Sequence, residues 1–313
     1  MNQRFLISRL SSLGDVVCTL PAASALKSLM PNCVVEWAVD PRFAGIVECC
    51  RAVDVVHRVK PGFSPKTWPS FDGSFEAALD LQGLSKSALV VARADARRTL
   101  GYHWQREGSW LCSARVVPDP SSIHVVDQYV DVVRALGAEA DRAVFSLVPQ
   151  ADDVASVKSK LASKGVEGRF VVINPGAGWV TKRWPPAHFG AVIGWLERAG
   201  LRCVLVGGNS PTDLAIADEV IGHCDPTPVS LTGQTSVREL VALISLAAVH
   251  LGGDTGSSHI AAALNVPAVG LYSITRPERT CPYGQIDRCH YDARSLAEIA
   301  PEPVLETMLE AVA

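Results

Sequence analysis

Four apolar runs in the second half of this chain, FVVIN (170–174), CVLVGG (203–208), AVHLGG (248–253) and AVGLYS (268–273), carry almost no alternation between apolar and polar positions. A strand that is apolar on both faces must be covered on both, which is the condition of a parallel sheet with helices packed on each side. Each run leads into a turn, and helical spacing follows at about 186–199, 212–223, 236–247 and 257–264. Ser236 with Glu239 forms a capping box at the third of these. Strand, turn and helix in alternation predict a doubly wound α/β unit.

The first half reads the same way with a weaker signal. FLISRL (5–10), VVEWAV (34–39), VDVVHRV (53–59) and EAALDL (76–81) are expected strands. Helices are expected from the SSLGD turn (11–15) to about Met30, strained or restarted at Pro21, and over 41–50, 84–94 and 125–137. Residues 60–75, rich in Pro, Gly and Ser, read as a loop. A chain of 313 residues suits two domains. The boundary is expected at 1–150 and 151–313, with a hinge and a lead-in helix inside the polar stretch 138–169.

A net charge of −3 argues against nucleic acid as a partner. The charge is uneven: residues 82–115 hold Lys86, Arg93, Arg97, Arg98, Arg106 and Arg115 against Asp95 and Glu107. Such a run is either a solvated face or a surface that attracts an anionic substrate or headgroup. The nine cysteines show no zinc spacing, and an odd count with no signal peptide is expected of a reducing cytoplasm. The longest apolar helix, near 237–249, is broken by Arg238, Glu239 and Ser245. Any membrane contact is therefore expected to be peripheral.

The chemistry-bearing residues cluster in the turns after strands. In GGDTGSSH (252–259), glycines allow close approach, and unsatisfied N–H groups at a helix start favour an anion such as a diphosphate. A plain N-cap at Asp254 or Ser257 is the alternative. In NPGAGWVTKRWP (174–185), Gly176, Gly178 and Thr181 offer donors, and Lys182 either neutralises phosphate or is solvated. There is no GxxxxGK[ST] loop and no complete GxGxxG, so kinase and dehydrogenase readings are weak. Asp15, after Ser11, Ser12 and Gly14, either caps the following helix or is a carboxylate able to deprotonate an acceptor hydroxyl. Asp213, beyond GGNSP (207–211), either accepts from ribose hydroxyls or supplies acidic charge at a helix start. Lys86, Arg106 and His124 are candidates for holding an anionic acceptor. A polar turn of this kind in each half predicts a cleft between two nucleotide-fold domains.

Five segments taken together, SRLSSLGDVVCTLPA (8–22), LDLQGLSKSALV (79–90), NPGAGWVTKRWP (174–185), LTGQTS (231–236) and GGDTGSSHIAAALNVPAVGLY (252–272), resemble the bacterial lipopolysaccharide heptosyltransferases of glycosyltransferase family 9. They fall in family order along nearly the whole chain, and the heptosyltransferase I type is the nearest likeness. The resemblance implies a GT-B fold, two facing Rossmann-like domains with parallel sheets. The N-terminal one would bind acceptor and the C-terminal one the nucleotide-sugar donor, with the last helix able to pack back on the N-terminal domain. It implies inverting transfer of heptose from ADP-heptose to the Kdo-bearing inner core of lipopolysaccharide, without metal or cofactor, by a cytoplasmic enzyme peripheral to the inner membrane. By resemblance Asp15 is the general base, and Ser11, Ser12 and Gly14 shape the acceptor side of its turn. Lys182, Asp254, Thr255, Gly256 and His259 would bind donor diphosphate and heptose, with Gly178 and Thr181 beside them. Thr212 and Asp213 share the ribose position, and Thr235 lies near the adenine. Lys86, Arg106 and His124 are the nearest matches to the basic residues that bind the acidic Kdo sugars. The alternatives are a relative that adds the second heptose or uses another nucleotide-sugar or acceptor, and a non-catalytic nucleotide-sugar-binding protein.

Overall fold

The computed structural model describes residues 3–60, 62, 67–138 and 143–313. The chain divides into two compact units, Met1–Val148 and Pro149–Ala313. Part of the 60–75 loop and residues 139–142, near the start of the polar stretch expected to hold the hinge, lie outside the described residues.

The first unit runs β1 (Arg4–Ser8), α1 (Leu13–Leu29), β2 (Val34–Val39), α2 (Ala44–Glu48), β3 (Val55–Arg58), β4 (Ser74–Asp80), α3 (Ser85–Arg93), β5 (Asp95–Gly101), β6 (Ala114–Arg115) and α4 (Val125–Arg134). All its strands pair in parallel, in the order β3-β2-β1-β4-β5-β6. The central strand β1 is apolar on both sides, with Phe5, Leu6 and Ile7 buried. Pro21 was expected to interrupt the first helix, yet α1 is continuous. Every residue from Val16 to Leu26 is buried, and that packing offsets the hydrogen bond a proline cannot donate. Strand β5 was not legible because its sequence, DARRTLG, is buried only at its C-terminal end. The basic run that contains it therefore divides: Arg97 pairs with Glu76 at 3.2 Å and Arg98 donates to the Ala135 carbonyl at 3.2 Å, both away from the C-terminal strand ends.

The second unit runs α5 (Ala151–Ser163), β7 (Phe170–Asn174), α6 (Pro186–Arg198), β8 (Arg202–Leu205), α7 (Pro211–Ile221), β9 (Val229–Ser230), α8 (Val237–Leu246), β10 (Val249–Gly253), α9 (Gly256–Ala263), β11 (Ala268–Tyr272), α10 (Pro277–Thr280), β12 (Cys289–Tyr291) and α11 (Pro301–Val312). Its sheet is again parallel, in the order β12-β11-β10-β7-β8-β9. Counted from its own first strand, this is the 3-2-1-4-5-6 order of the first unit and of dinucleotide-binding sheets. The expected capping box is present: Ser236 N–H donates to Glu239 at 2.9 Å, and Glu239 N–H to the Ser236 hydroxyl at 3.1 Å. Lys160 of α5 reaches the same carboxylate at 2.6 Å.

The last helix packs on the core of its own unit. Val304, Met308 and Val312 join the core of Ile173, Phe189, Val192 and Leu251, and the Trp184 indole donates to the Ile299 carbonyl at 2.9 Å just before α11. The apolar stripe at 304, 308 and 312 accounts for this packing, since it has a matching surface on α6. Met308→Ala should therefore destabilise the second unit by about 2–5 kcal/mol, read as a lowered denaturant midpoint. An unchanged midpoint would show that α11 adds nothing to that core.

Candidate active site

In each sheet the strand order reverses beside its first strand, and there helices from adjacent strands leave to opposite faces and open a crevice at the carboxyl ends. In the first unit this point lies between β1 and β4, where Ser8 stands opposite Asp80. The chain leaves β1 through Arg9 and Leu10, and Ser12 is the N-cap of α1. Asp15, in the first turn, accepts from the Ser12 N–H at 3.1 Å and the Ser12 hydroxyl at 2.8 Å, while its other oxygen pairs with Arg9 Nη2 at 2.7 Å. The cap reading of Asp15 thus holds, and 45% of its side chain is still exposed.

Arg9 is the partner that sequence reading missed, absorbed into an apolar strand. Its side chain is 6% exposed, donates to the Leu81 carbonyl and lies 5.2 Å from the centre of the Tyr129 ring. Burial works against its charge, but Tyr129 and Asp15 outweigh this and raise its pKa. The neighbouring loop is tied in as well. Asp80, fully buried, accepts from the N–H groups of Gln82 at 3.1 Å and Gly83 at 2.9 Å, and Gln82 Oε1 accepts from Leu10 N–H at 2.8 Å. Burial raises the Asp80 pKa against those hydrogen bonds. Gly83 is obligatory: its φ is +73° and a Cβ there would lie 2.4 Å from the Trp104 carbonyl oxygen.

Of the expected acceptor-side residues, Ser11, Ser12 and Gly14 lie in the Asp15 turn, and Lys86 and Arg106 come together. Lys86 is the second residue of α3, and Arg106 N–H donates to the Gly83 carbonyl at 2.8 Å, one turn away. His124 is instead 8% exposed and caps α4, its Nδ1 accepting from Val126 N–H at 3.2 Å.

The second unit's reversal lies between β7 and β10, where Asn174 stands opposite Gly252. A short 3-10 turn, Val180–Lys182, brings the Lys182 ammonium 2.7 Å from Asp254 Oδ2, and Thr275 donates to the same oxygen at 3.1 Å. His259 Nε2 lies 3.5 Å from the other oxygen. Burial would raise the Asp254 pKa, but His259 and Lys182 override it and hold the carboxyl well below its usual range. Thr255, rather than Asp254 or Ser257, is the N-cap of α9, and Gly256 is its first residue. Asp254 is turned to its cationic partners, and the Thr255 and Ser257 hydroxyls lie 3.1 Å apart. A Cβ at Gly252 would lie 2.9 Å from His250 Cε1, so only glycine lets the strand end pass.

Of the remaining donor-side residues, Asp213, Gly178 and Thr181 lie in or beside the loop after β7, and Thr235 follows the edge strand β9. Asp213 lies in the first turn of α7 and accepts from the Ser210 hydroxyl at 2.6 Å. A Cβ at Gly176 or Gly208 would come within 3.2 Å or 2.7 Å of its carboxylate, which sets Asp213 beside the loop after β7. Gly178 and Thr181 are exposed, and Thr235 is half-buried next to the Ser236 cap. Among the described residues no group of three or more His, Cys, Asp or Glu is arranged to hold a metal ion. Asn174, which links its Nδ2 to Ser257 Oγ at 2.8 Å, and Thr275 were not foreseen. An asparagine closing an apolar strand was the available signal for the first; nothing local marks the second.

Each unit thus carries charged side chains at its own strand-order reversal, and in the second a cation stands beside a helix start, an arrangement suited to an anion such as a phosphate. Residues 71–300 match the profile described as glycosyltransferase family 9 (heptosyltransferase). The chain belongs to this family. It is 29% identical to lipopolysaccharide heptosyltransferase 1 of Salmonella typhimurium over 90% of this chain and 92% of the relative. A family 9 glycosyltransferase from Veillonella parvula shares its fold with a TM-score of 0.88 at 19% identity, over 99% of this chain and 97% of that one. The E. coli heptosyltransferase WaaC with ADP gives 0.80 at 25% identity, over 99% and 100%. The fold class is accordingly GT-B, and the family makes the chain a heptosyl-transferring enzyme.

One feature of this family 9 site has a stability consequence. His250, in β10, is fully buried, and neither ring nitrogen has a hydrogen-bond partner among the described residues. Burial, then the neighbouring His259, lower its pKa to about 3. It stays neutral in the folded chain, whereas in the unfolded chain it protonates below about pH 6.5. Folding stability is thus undiminished above that pH and falls as pH drops toward 3, by up to about 1.4 kcal/mol per unit. His250→Leu should flatten this decline in denaturant midpoints across the acid range; an equally steep decline would assign it to other groups.

Proposed function

We propose that this family 9 enzyme transfers heptose from ADP-heptose to the Kdo-bearing inner core of lipopolysaccharide, with inversion and without a metal, at the cytoplasmic face of a membrane to which it is peripheral. The observation that carries the reading is Asp15, a carboxylate anchored by a buried guanidinium and a capping serine yet 45% exposed. A carboxylate pre-oriented by its partners and open to solvent meets the geometric requirement for a general base. The relatives' own names support the substrate class: they are lipopolysaccharide heptosyltransferases, and one solved relative carries ADP-2-deoxy-2-fluoro heptose.

In this mechanism Asp15 takes the proton of the acceptor hydroxyl as its oxygen attacks the anomeric carbon. The bond from that carbon to the β-phosphate oxygen breaks, and its electron pair leaves on ADP. Lys182 and the open N–H groups at the start of α9 take up the developing charge, the part a metal plays elsewhere. Asp254, with His259 beside its other oxygen, holds Lys182; Asp254 and His259 face the heptose, with Gly178, Thr181, Thr255 and Gly256 lining the phosphates. Asp213 accepts from ribose, Thr235 lies on the adenine side, and Lys86 with Arg106 binds the acidic acceptor sugars.

Three results test this. Asp15→Ala should reduce turnover by about 10²–10⁴-fold while ADP still binds by calorimetry; undiminished turnover removes Asp15 as base. Lys182→Ala should weaken donor use by about tenfold or more with little change in melting temperature. The opposite pattern, lost stability and intact donor kinetics, would make Lys182 structural. Chelator should leave product formation unchanged when ADP-heptose and a Kdo-lipid acceptor are mixed and the product is weighed by mass spectrometry. A metal requirement would overturn the metal-free step, and transfer only to an already heptosylated core would reassign the acceptor.

A further inference from the structure

The segment after β5 exposes large apolar side chains that no core requires. Trp104 is 50% exposed, Trp110 58% and Leu111 82%. Their backbone is held from inside, so the exposure is built into the fold. Ser109 is fully buried, Gln105 Nε2 donates to the Ser113 carbonyl at 3.1 Å and hydroxyl at 2.9 Å, and the Arg106 N–H is bound to Gly83. Exposed cations surround them. The Arg106 guanidinium lies 6.0 Å from the Trp104 ring centre. Lys86 follows Ser85, whose N–H and hydroxyl bind Glu107 at 3.2 and 2.9 Å. The 3-10 turn Ser109–Leu111 packs against α3 and β6, and β6 carries Arg115. Glu107 is the one acid in the group.

We propose that this surface, Trp104, Trp110 and Leu111 ringed by Lys86, Arg106 and Arg115, docks the enzyme on an anionic lipid bilayer. Tryptophan is suited to the headgroup level, an aliphatic side chain to the acyl boundary, and cations to an anionic leaflet, where each adds about fivefold to partitioning. A second copy of this chain fits less well, because a two-fold contact would set the same cations against one another. A sugar fits less well too, since a branched side chain as exposed as Leu111 offers hydroxyl groups no partner. The inference rests on the proposed transfer reaction only for its purpose: Lys86 and Arg106 would hold the acceptor's acidic sugars where its lipid end enters the bilayer.

The full chain is sedimented with vesicles of equal parts phosphatidylglycerol and phosphatidylcholine, and with phosphatidylcholine alone. We expect binding to the anionic vesicles that weakens with salt. Trp110→Glu/Leu111→Glu should lower it by about tenfold or more, with an unchanged circular dichroism spectrum and unchanged turnover on a deacylated acceptor. Equal binding to both vesicles, or undiminished binding by the double variant, overturns the proposal. So does a parallel loss of turnover on the deacylated acceptor, which would make the two side chains part of the sugar site, or a change of oligomeric state, which would make the patch a protein interface. Vesicle binding is read without any transfer reaction, so failure of heptosyl transfer and failure of docking are separate results.

Discussion

Each of the two sheets adds strands first to one side and then to the other, and this single reversal decides where chemistry is possible. At the β1/β4 and β7/β10 boundaries the flanking helices depart to opposite faces, so the strand ends and the first helical turns stay accessible. Elsewhere along a doubly wound sheet the same turns are covered. The carboxylate of Asp15 and the ammonium of Lys182 both occupy this place in their own unit, each paired with an opposite charge.

Charge in such a crevice has to be held, because a desolvated ion without a partner is expensive to bury. The protein meets this with interlocked pairs. Arg9 spans the Leu81 carbonyl, the Tyr129 ring and Asp15; Asp254 gathers Lys182, His259 and Thr275. In each case a carboxylate fixes or is fixed by a cation whose position a backbone turn sets, which pre-orders the groups before any substrate arrives. The buried Asp80 and His250 show the strain of the arrangement: burial pushes the first pKa up and the second down.

Much of the fold was readable. The unalternating runs became β7, β8, β10 and β11, and the Ser236–Glu239 box was present as expected. What escaped had a physical cause. Strand β5 carries Asp95, Arg97 and Arg98 along its mostly exposed first half, and β6, β9 and β12 are two or three residues long, too short for any period to show. Pro21 looked like a break because local rules do not include the burial around it. His124 looked like a surface cation, but its ring became a helix cap. The turns holding Asp15, Lys182 and Asp254 were legible because glycine and hydroxyl residues after a strand have few other uses.

The sequence alone determined the alternation of buried strand and helix, and with it two parallel sheets whose polar turns lie at the carboxyl ends. It also determined which residues those turns carry, because strand ends and helix starts impose local backbone demands that short motifs satisfy. Only the tertiary structure decided that Arg9 pairs with Asp15, that Thr275 joins Lys182 at Asp254, and that α11 completes the second core. The last two of these join residues far apart in the chain. Arg9 and Asp15 are near neighbours in sequence, but a charge at the end of an apolar strand could face either way until packing against Leu81 and Tyr129 fixed it.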